Sequence, residues 1–262
     1  MRATAADEGR ILLERRGPIL QVVLSHPGRH NALTWRMYDE LAEALAQTAA
    51  DPSVRVLVIR GQGGAFAAGT DITQFSSFTT GEQGLEYEQR VGAILDSLLK
   101  LGIPVIAAVD GPAVGAGLAI AACSDVVIAS ESSTFGVPIA RTVGNCIPPV
   151  VLRRLQARMG QGRTMAMLLA AALLPAGEAQ KAGFVYKVVA HEEFEATLSK
   201  LSTRMSQTAP VTIAALKEMD RRLQEDPAAN GDDLLLECYG SADFQEGVAA
   251  FTEHRTPRWK GH

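Results

Sequence analysis

The chain has 262 residues, a formal net charge of −4, 47% hydrophobic and 21% charged residues. These values suit a soluble globular protein with one large domain, and they exclude a disordered or fibrous chain. No basic block interleaved with aromatics is present, so nucleic-acid binding is not expected. Aromatics make up only 5%, which predicts a core packed from small aliphatic side chains.

In chain order, Ile11–Arg15 and Ile19–Leu24 flank Arg16-Gly17-Pro18 and predict a hairpin. A turn-rich loop, His26-Pro27-Gly28-Arg29-His30-Asn31, follows. Thr34 is a candidate N-cap for a helix from Trp35 to Ala49, which Asp51-Pro52 stops. Val54–Ile59, Pro104–Val109 and Asp125–Ala129 are strands apolar on both faces. They alternate with helices over 84–101 and 115–123, a pattern that favours parallel pairing. Helices are predicted over 150–159, 163–173 and 176–182, a strand over 185–189, and helices over 192–206 and 211–223. A further helical region and the tail 255–262 close the chain. The fold class is α/β, with a core over 1–204 and a C-terminal helical extension over 205–262.

Cys123, Cys146 and Cys238 are odd in number and widely spaced. They predict reduced thiols in a cytoplasmic protein, with neither a disulfide framework nor a metal cluster. Met1–Glu8 lacks the apolar stretch of a secretory signal. The most apolar segment, Ile103–Ser130, is interrupted by Asp110-Gly111-Pro112, so it predicts a buried core and no membrane span.

Two glycine-bearing turns carry the chemistry. Ala65-Phe66-Ala67-Ala68-Gly69-Thr70-Asp71-Ile72 follows the first long strand, and Asp110-Gly111-Pro112-Ala113-Val114-Gly115-Ala116-Gly117 follows the second. Each is predicted to open a helix and so to expose unpaired backbone N–H groups. Two such donors aimed at one point form an oxyanion hole.

Pro27-Gly28-Arg29-His30-Asn31-Ala32-Leu33, the two glycine turns with Ser124-Asp125, Phe135-Gly136-Val137-Pro138, and Asp243-Phe244-Gln245-Glu246-Gly247 through Phe251 and Arg255 occur in that order over nearly the whole chain. Together they resemble the motifs of the crotonase (enoyl-CoA hydratase/isomerase) superfamily. The resemblance implies a spiral of ββα units, a C-terminal helical region used in trimerisation, and homotrimers that often pair into hexamers. It implies an acyl-CoA thioester as substrate, with no cofactor besides the coenzyme A that the substrate carries. The oxyanion donors would be the N–H groups of Thr70 and Ala116. Coenzyme A contacts would come from Arg29, His30, Ala32, Ala68, Asp71 and Ile72. Asp71 and Asp125 are also read as structural, satisfying turn N–H groups.

The sequence departs from the family at two positions. The glutamates of the hydratases match Ala119 and Ile139 here. Neither side chain transfers protons, a contribution worth about 10²- to 10⁴-fold per group. Candidate replacements are Cys146 in the loop 138–146, as nucleophile or base, and Glu86 among Glu82, Glu86, Tyr87 and Glu88. Arg141 and Asn145 of the same loop are candidate substrate-binding residues that would polarise a carbonyl or hold a substrate carboxylate. The loop's Gly-Asn-Cys also resembles the Gly-Asn-Asp of chlorobenzoyl-CoA dehalogenases, where the Asp is the nucleophile. The expected activity is therefore an enoyl-CoA hydratase-like lyase with a relocated acid/base. The alternatives are another crotonase-type lyase, dehalogenase or hydrolase, or a non-catalytic acyl-CoA binding protein.

Overall fold

A computed structural model describes residues 8–262. The reading of Met1–Glu8 therefore concerns, Glu8 excepted, residues outside the described range.

β1 (Arg10–Arg16) and β2 (Ile19–Ser25) form the expected antiparallel hairpin around Gly17. α1 (Trp35–Ala50) begins at Thr34, whose hydroxyl accepts the Met37 N–H at 3.2 Å. Met37, Tyr38, Leu41, Ala44, Leu45 and Thr48 form its buried stripe. β3 (Val56–Gly61) follows, then the first glycine turn and a 3₁₀ turn over Ile72–Ser77. α2 (Gly81–Lys100) starts three residues earlier than its periodicity predicts. Thr80 and Gln83 form a capping box there.

β4 (Val105–Val109), β5 (Pro112–Val114), α3 (Ala116–Cys123), β6 (Val126–Ser130) and β7 (Thr134–Gly136) come next. Then follow α4 (Pro149–Met159), α5 (Gln161–Leu169), β8 (Leu173–Pro175), α6 (Ala176–Lys181) and β9 (Lys187–Val189). The C-terminal part is helical: α7 (His191–Ser206), α8 (Pro210–Glu225), α9 (Asp232–Gly240) and α10 (Ala242–Thr252).

Six strands make one sheet in the order β1-β2-β3-β4-β6-β9, parallel except for the hairpin. Alternate side chains on its strands enter two separate cores. Leu57, Ile59, Val105, Ala107, Val109 and Val127 pack in the large core with α1, α2 and α3. Val56, Val58, Ile106, Ala108 and Ile128 pack on the opposite face against Phe194 and Leu198 of α7. Both faces are covered, which explains strands that read as unbroken apolar runs.

The second sheet, β5-β7-β8, is a correction to the sequence reading. Its strands are three residues long, too short to show alternation, and β5 lies inside what reads as a turn. α5 accordingly ends at Leu169 instead of running to Leu173. Ala171 turns left-handed (φ +50°) and sends the chain into β8. Gly136 on β7 is required by this pairing, because a Cβ there would lie 2.7 Å from Ala172 O.

α3 is buried nearly all round. Arg154 and Arg158 of α4 donate to its C-terminal carbonyls, Ala121 O and Ala122 O, at 3.2–3.3 Å. Asp125 accepts the Val105 N–H at 2.7 Å and pairs with Lys217 of α8. Its side chain ties α8 to the sheet, consistent with the structural reading. Among the described residues, no helix is long and apolar enough to cross a membrane.

Candidate active site

β3 and β4 are parallel neighbours, so the turns after them leave the same edge of the sheet side by side. They are stitched together. Phe66 N–H and Ala67 N–H donate to Pro112 O at 3.0 and 3.1 Å, and Val114 N–H donates to Ala67 O at 2.9 Å. Gly69 and Gly115 both have positive φ, +104° and +55°. A Cβ on Gly117 would sit 2.3 Å from Ala67 O, so this contact admits no side chain.

Thr70 bridges Leu33, but the bridge uses Gly69 O and Asp71 N–H. The Thr70 N–H stays outside it. Ala116 is the first residue of α3, so its N–H lacks a partner within the helix. Thr70 and Ala116 line one cavity of about 230 Å³.

The cavity wall is mostly hydrocarbon. Ile72 and Phe75 enter from the 3₁₀ turn, Val91 and Leu95 from α2, and Val143 and Ile147 from the loop after β7. Ala119 and Ile139 are both in the wall. Both side chains meet the cavity with carbon.

Asn145 and Cys146 line the cavity, whereas Arg141 is exposed and does not. Glu86 is exposed on the outer face of α2 and is also absent from the lining. Glu88 lines it instead. The helical period gives the reason: Glu88 precedes the buried Val91 by three residues and Leu95 by seven, on the same face. That spacing was available in the sequence and favoured Glu88 over Glu86. Burial raises the Glu88 carboxyl to about 7.

A hydrogen-bonded chain of hydroxyls, unforeseen in the sequence, supports the first turn. Thr70 Oγ1 lies 2.6 Å from Tyr38 Oη and 2.7 Å from Tyr87 Oη. Burial raises the pKa of both phenols. Trp35 and Phe75 pack against Tyr87, and Phe78 packs against Trp35 and Phe75, with the Phe75 and Tyr87 ring centroids 4.9 Å apart. Aromatic residues are few in this chain, and these join α1, the 3₁₀ turn and α2 into the roof of the cavity.

The predicted coenzyme A residues lie on the outer side of the first turn. Arg29 and His30 are exposed on the loop after β2, and Arg29 lines a polar cleft with His26, Arg36, Asp71 and Gln74. His30 and Asn31 are left-handed (φ +48° and +57°). Asn31 is buried and holds the loop, donating to Gln62 O and Ala65 O at 2.8 Å. Ala32 O contacts His26 Nδ1 at 2.7 Å, and Ala68 N–H donates to His30 O at 3.0 Å. Ile72 is 60% exposed at the cavity mouth. The Asp71 carboxylate caps the 3₁₀ turn through the Thr73 N–H and hydroxyl. Partial burial pushes its pKa up, but these bonds and the charges of Arg29 and His26 outweigh it and leave the pKa lowered.

A fold with backbone donors grouped at the C-terminal edge of a parallel sheet, over an apolar cavity, defines the class, and known proteins agree with it. The family profile described as enoyl-CoA hydratase/isomerase matches residues 14–262. A probable mitochondrial enoyl-CoA hydratase of Dictyostelium discoideum is 32% identical over 94% of this chain and 89% of its own length. A carnitinyl-CoA dehydratase of Proteus mirabilis is 32% identical over 95% of this chain and 97% of its own. The crystal structure of an enoyl-CoA hydratase/carnithine racemase from Magnetospirillum magneticum superposes with a TM-score of 0.90 at 34% identity, covering 96% of each chain. The chain belongs to the enoyl-CoA hydratase/isomerase family and has the crotonase fold.

Proposed function

We propose that the protein is an enoyl-CoA hydratase-like lyase that stabilises a thioester enolate in a backbone oxyanion hole. One observation carries this reading: Thr70 and Ala116, whose N–H groups make no hydrogen bond among the described residues, border the same apolar cavity. When water adds to the β-carbon of an enoyl thioester, negative charge moves onto the carbonyl oxygen. Two fixed donors in a water-poor cavity act on that charge most strongly, and losing one costs about 3–4 kcal/mol of barrier. The dipole of α3, whose N-terminus is at Ala116, adds to the field.

The acyl chain would occupy the cavity among Ile72, Phe75, Val91 and Leu95, and an apolar acyl group suits that lining. The coenzyme A moiety would run outward past Ala68 and Ile72. Arg29 and His30 are exposed and would pair with its phosphates, and the Ala32 and Ala68 segments would supply backbone beside them.

A homotrimer, alone or paired into a hexamer, is the proposed assembly. Leu216, Leu235, Leu236, Tyr239, Val248 and Phe251 of the C-terminal helices are large apolar residues left exposed in the single chain, which supports association through that region.

The test is hydration of crotonyl-CoA, followed by loss of the enoyl-thioester absorbance, together with the absorbance of bound cinnamoyl-CoA. The reading expects turnover and a red shift of the bound chromophore, because an oxyanion hole polarises the conjugated carbonyl. Binding without a red shift sinks the oxyanion assignment. A red shift without hydration moves the protein to another reaction of the same enolate type.

A further inference from the structure

We propose that Glu88 is the catalytic acid/base of this enzyme, the group that carries the proton to and from the thioester α-carbon. The assignment rests on the enolate reading above and adds to it the residue that the sequence motifs leave vacant.

Four observations converge on this side chain. Among the described residues lining the cavity, Glu88 supplies the sole carboxyl, while Ala119 and Ile139 bring hydrocarbon. The phase of α2 holds it there, on the stripe of Val91 and Leu95, so its position follows from the helix packing rather than from a loop. Among the described residues it makes no hydrogen bond and no ion pair. A half-buried carboxyl in an apolar wall destabilises a fold unless it is partnered. Its structural neighbours do not account for it, and the cavity faces it. Burial also tunes the carboxyl to about 7, where a general base is both available and strong enough at neutral pH.

The chemistry balances with this one group. In the addition direction, water oxygen bonds to Cβ and one water proton passes to the Glu88 carboxylate. The C=C electron pair shifts toward Cα and the carbonyl, leaving the negative charge on oxygen before the Thr70 and Ala116 N–H groups. The enolate collapses as Cα takes the proton from Glu88. One water has been added and the carboxylate is regenerated. With a saturated thioester, the same group removes a proton from Cα and returns one.

The titratable groups that share the cavity lining with Glu88 are Tyr87, next to it on α2, and Cys146, from the loop after β7, and Tyr38 of α1 is near enough to feel its charge. Both phenols are raised by burial and stay neutral through the relevant range. Measuring in a Cys146→Ala background removes the thiol. The rate should then rise with pH along a single limb near 7, as Glu88 loses its proton.

The experiment compares parent and Glu88→Gln in D₂O, following deuterium incorporation at Cα of butyryl-CoA by mass spectrometry. It also records the red shift of bound cinnamoyl-CoA, which needs the N–H groups and not the carboxyl. The expected result is a fall of about 10²- to 10⁴-fold in exchange, loss of the limb near pH 7, and an unchanged red shift. Glu88→Asp should recover part of the exchange. Exchange in Glu88→Gln within about tenfold of the parent overturns the assignment, as does a parent that shifts cinnamoyl-CoA but exchanges nothing. A parent that binds without a red shift removes the enolate reading itself, and this assignment with it.

Discussion

The two walls of the cavity are built on opposite principles. The wall of the glycine turns, 69–70 and 114–119, presents backbone: Gly69, Gly115 and Gly117 allow close approach, and Thr70 and Ala116 contribute N–H groups. The facing wall, from the 3₁₀ turn, α2 and the loop after β7, presents side chains: Phe75, Tyr87, Glu88, Asn145 and Cys146. Backbone groups held by a sheet edge keep their positions whatever side chains surround them. Side chains on a helix and a loop can change between relatives without disturbing the sheet. On the proposed function, charge stabilisation and proton transfer would be separable, because they would sit on different walls.

The largest effect should follow from disrupting the backbone wall. Gly117→Val drives a side chain into Ala67, whose O and Cβ lie 2.3 and 2.9 Å from where the new Cβ would stand. Overpacking there should cost about 1–3 kcal/mol of stability. Displacing the Ala116 donor should lower kcat by about 10²- to 10³-fold. Thermal unfolding and crotonyl-CoA turnover measure the two separately, and a folded, fully active variant would undo the contrast between the walls.

Next comes the post of Thr70. Tyr87→Phe removes one of the two phenols on its hydroxyl. A neutral hydrogen bond of about 0.5–1.5 kcal/mol predicts a fall of up to about tenfold in turnover, with Glu88 exchange chemistry still responsive to pH. A much larger loss would make the phenol a participant rather than a support.

Glu88→Gln tests the side-chain wall through stability rather than rate. The folded carboxyl titrates above its usual range, so the folded state holds the proton more tightly than the unfolded state. Stability from this group is therefore lost as pH rises from the ordinary carboxylate range through about 7. The variant should gain Tm over the parent near pH 8 and gain none near pH 4. Equal differences at both values would mean that the carboxyl is not desolvated by the wall.

The smallest effect is expected at the loop. Cys146→Ala should change turnover by less than about threefold, the size of one neutral contact. Iodoacetamide on the parent should block turnover by filling the cavity that the exposed Cys146 lines. A deep loss in Cys146→Ala would restore the thiol as a nucleophile.

Much of this molecule is legible residue by residue. The hairpin at Gly17, the cap at Thr34 and the apolar strands β3, β4 and β6 are local patterns and appear where they are expected. Of the two glycine turns, the second opens α3 as expected but contains β5, and the first opens a 3₁₀ turn instead of an α-helix. The small sheet escapes because three-residue strands carry no period, and their pairing joins segments far apart in the chain. In the site, the same contrast holds for two glutamates two residues apart. Glu86 and Glu88 look alike as a charge run, but their positions on α2 differ by about 200° of rotation. One meets solvent and the other meets the cavity.

The family motifs, the parallel sheet and the glycine turns follow from the sequence alone, because they depend on short-range sterics and on apolar runs. That the turns lie side by side, that Tyr38 and Tyr87 grip Thr70, and that Glu88 faces the cavity emerge only once the chain is folded. Those relations depend on which strands become neighbours and on how α2 is rotated against the core, and burial across distant segments sets both.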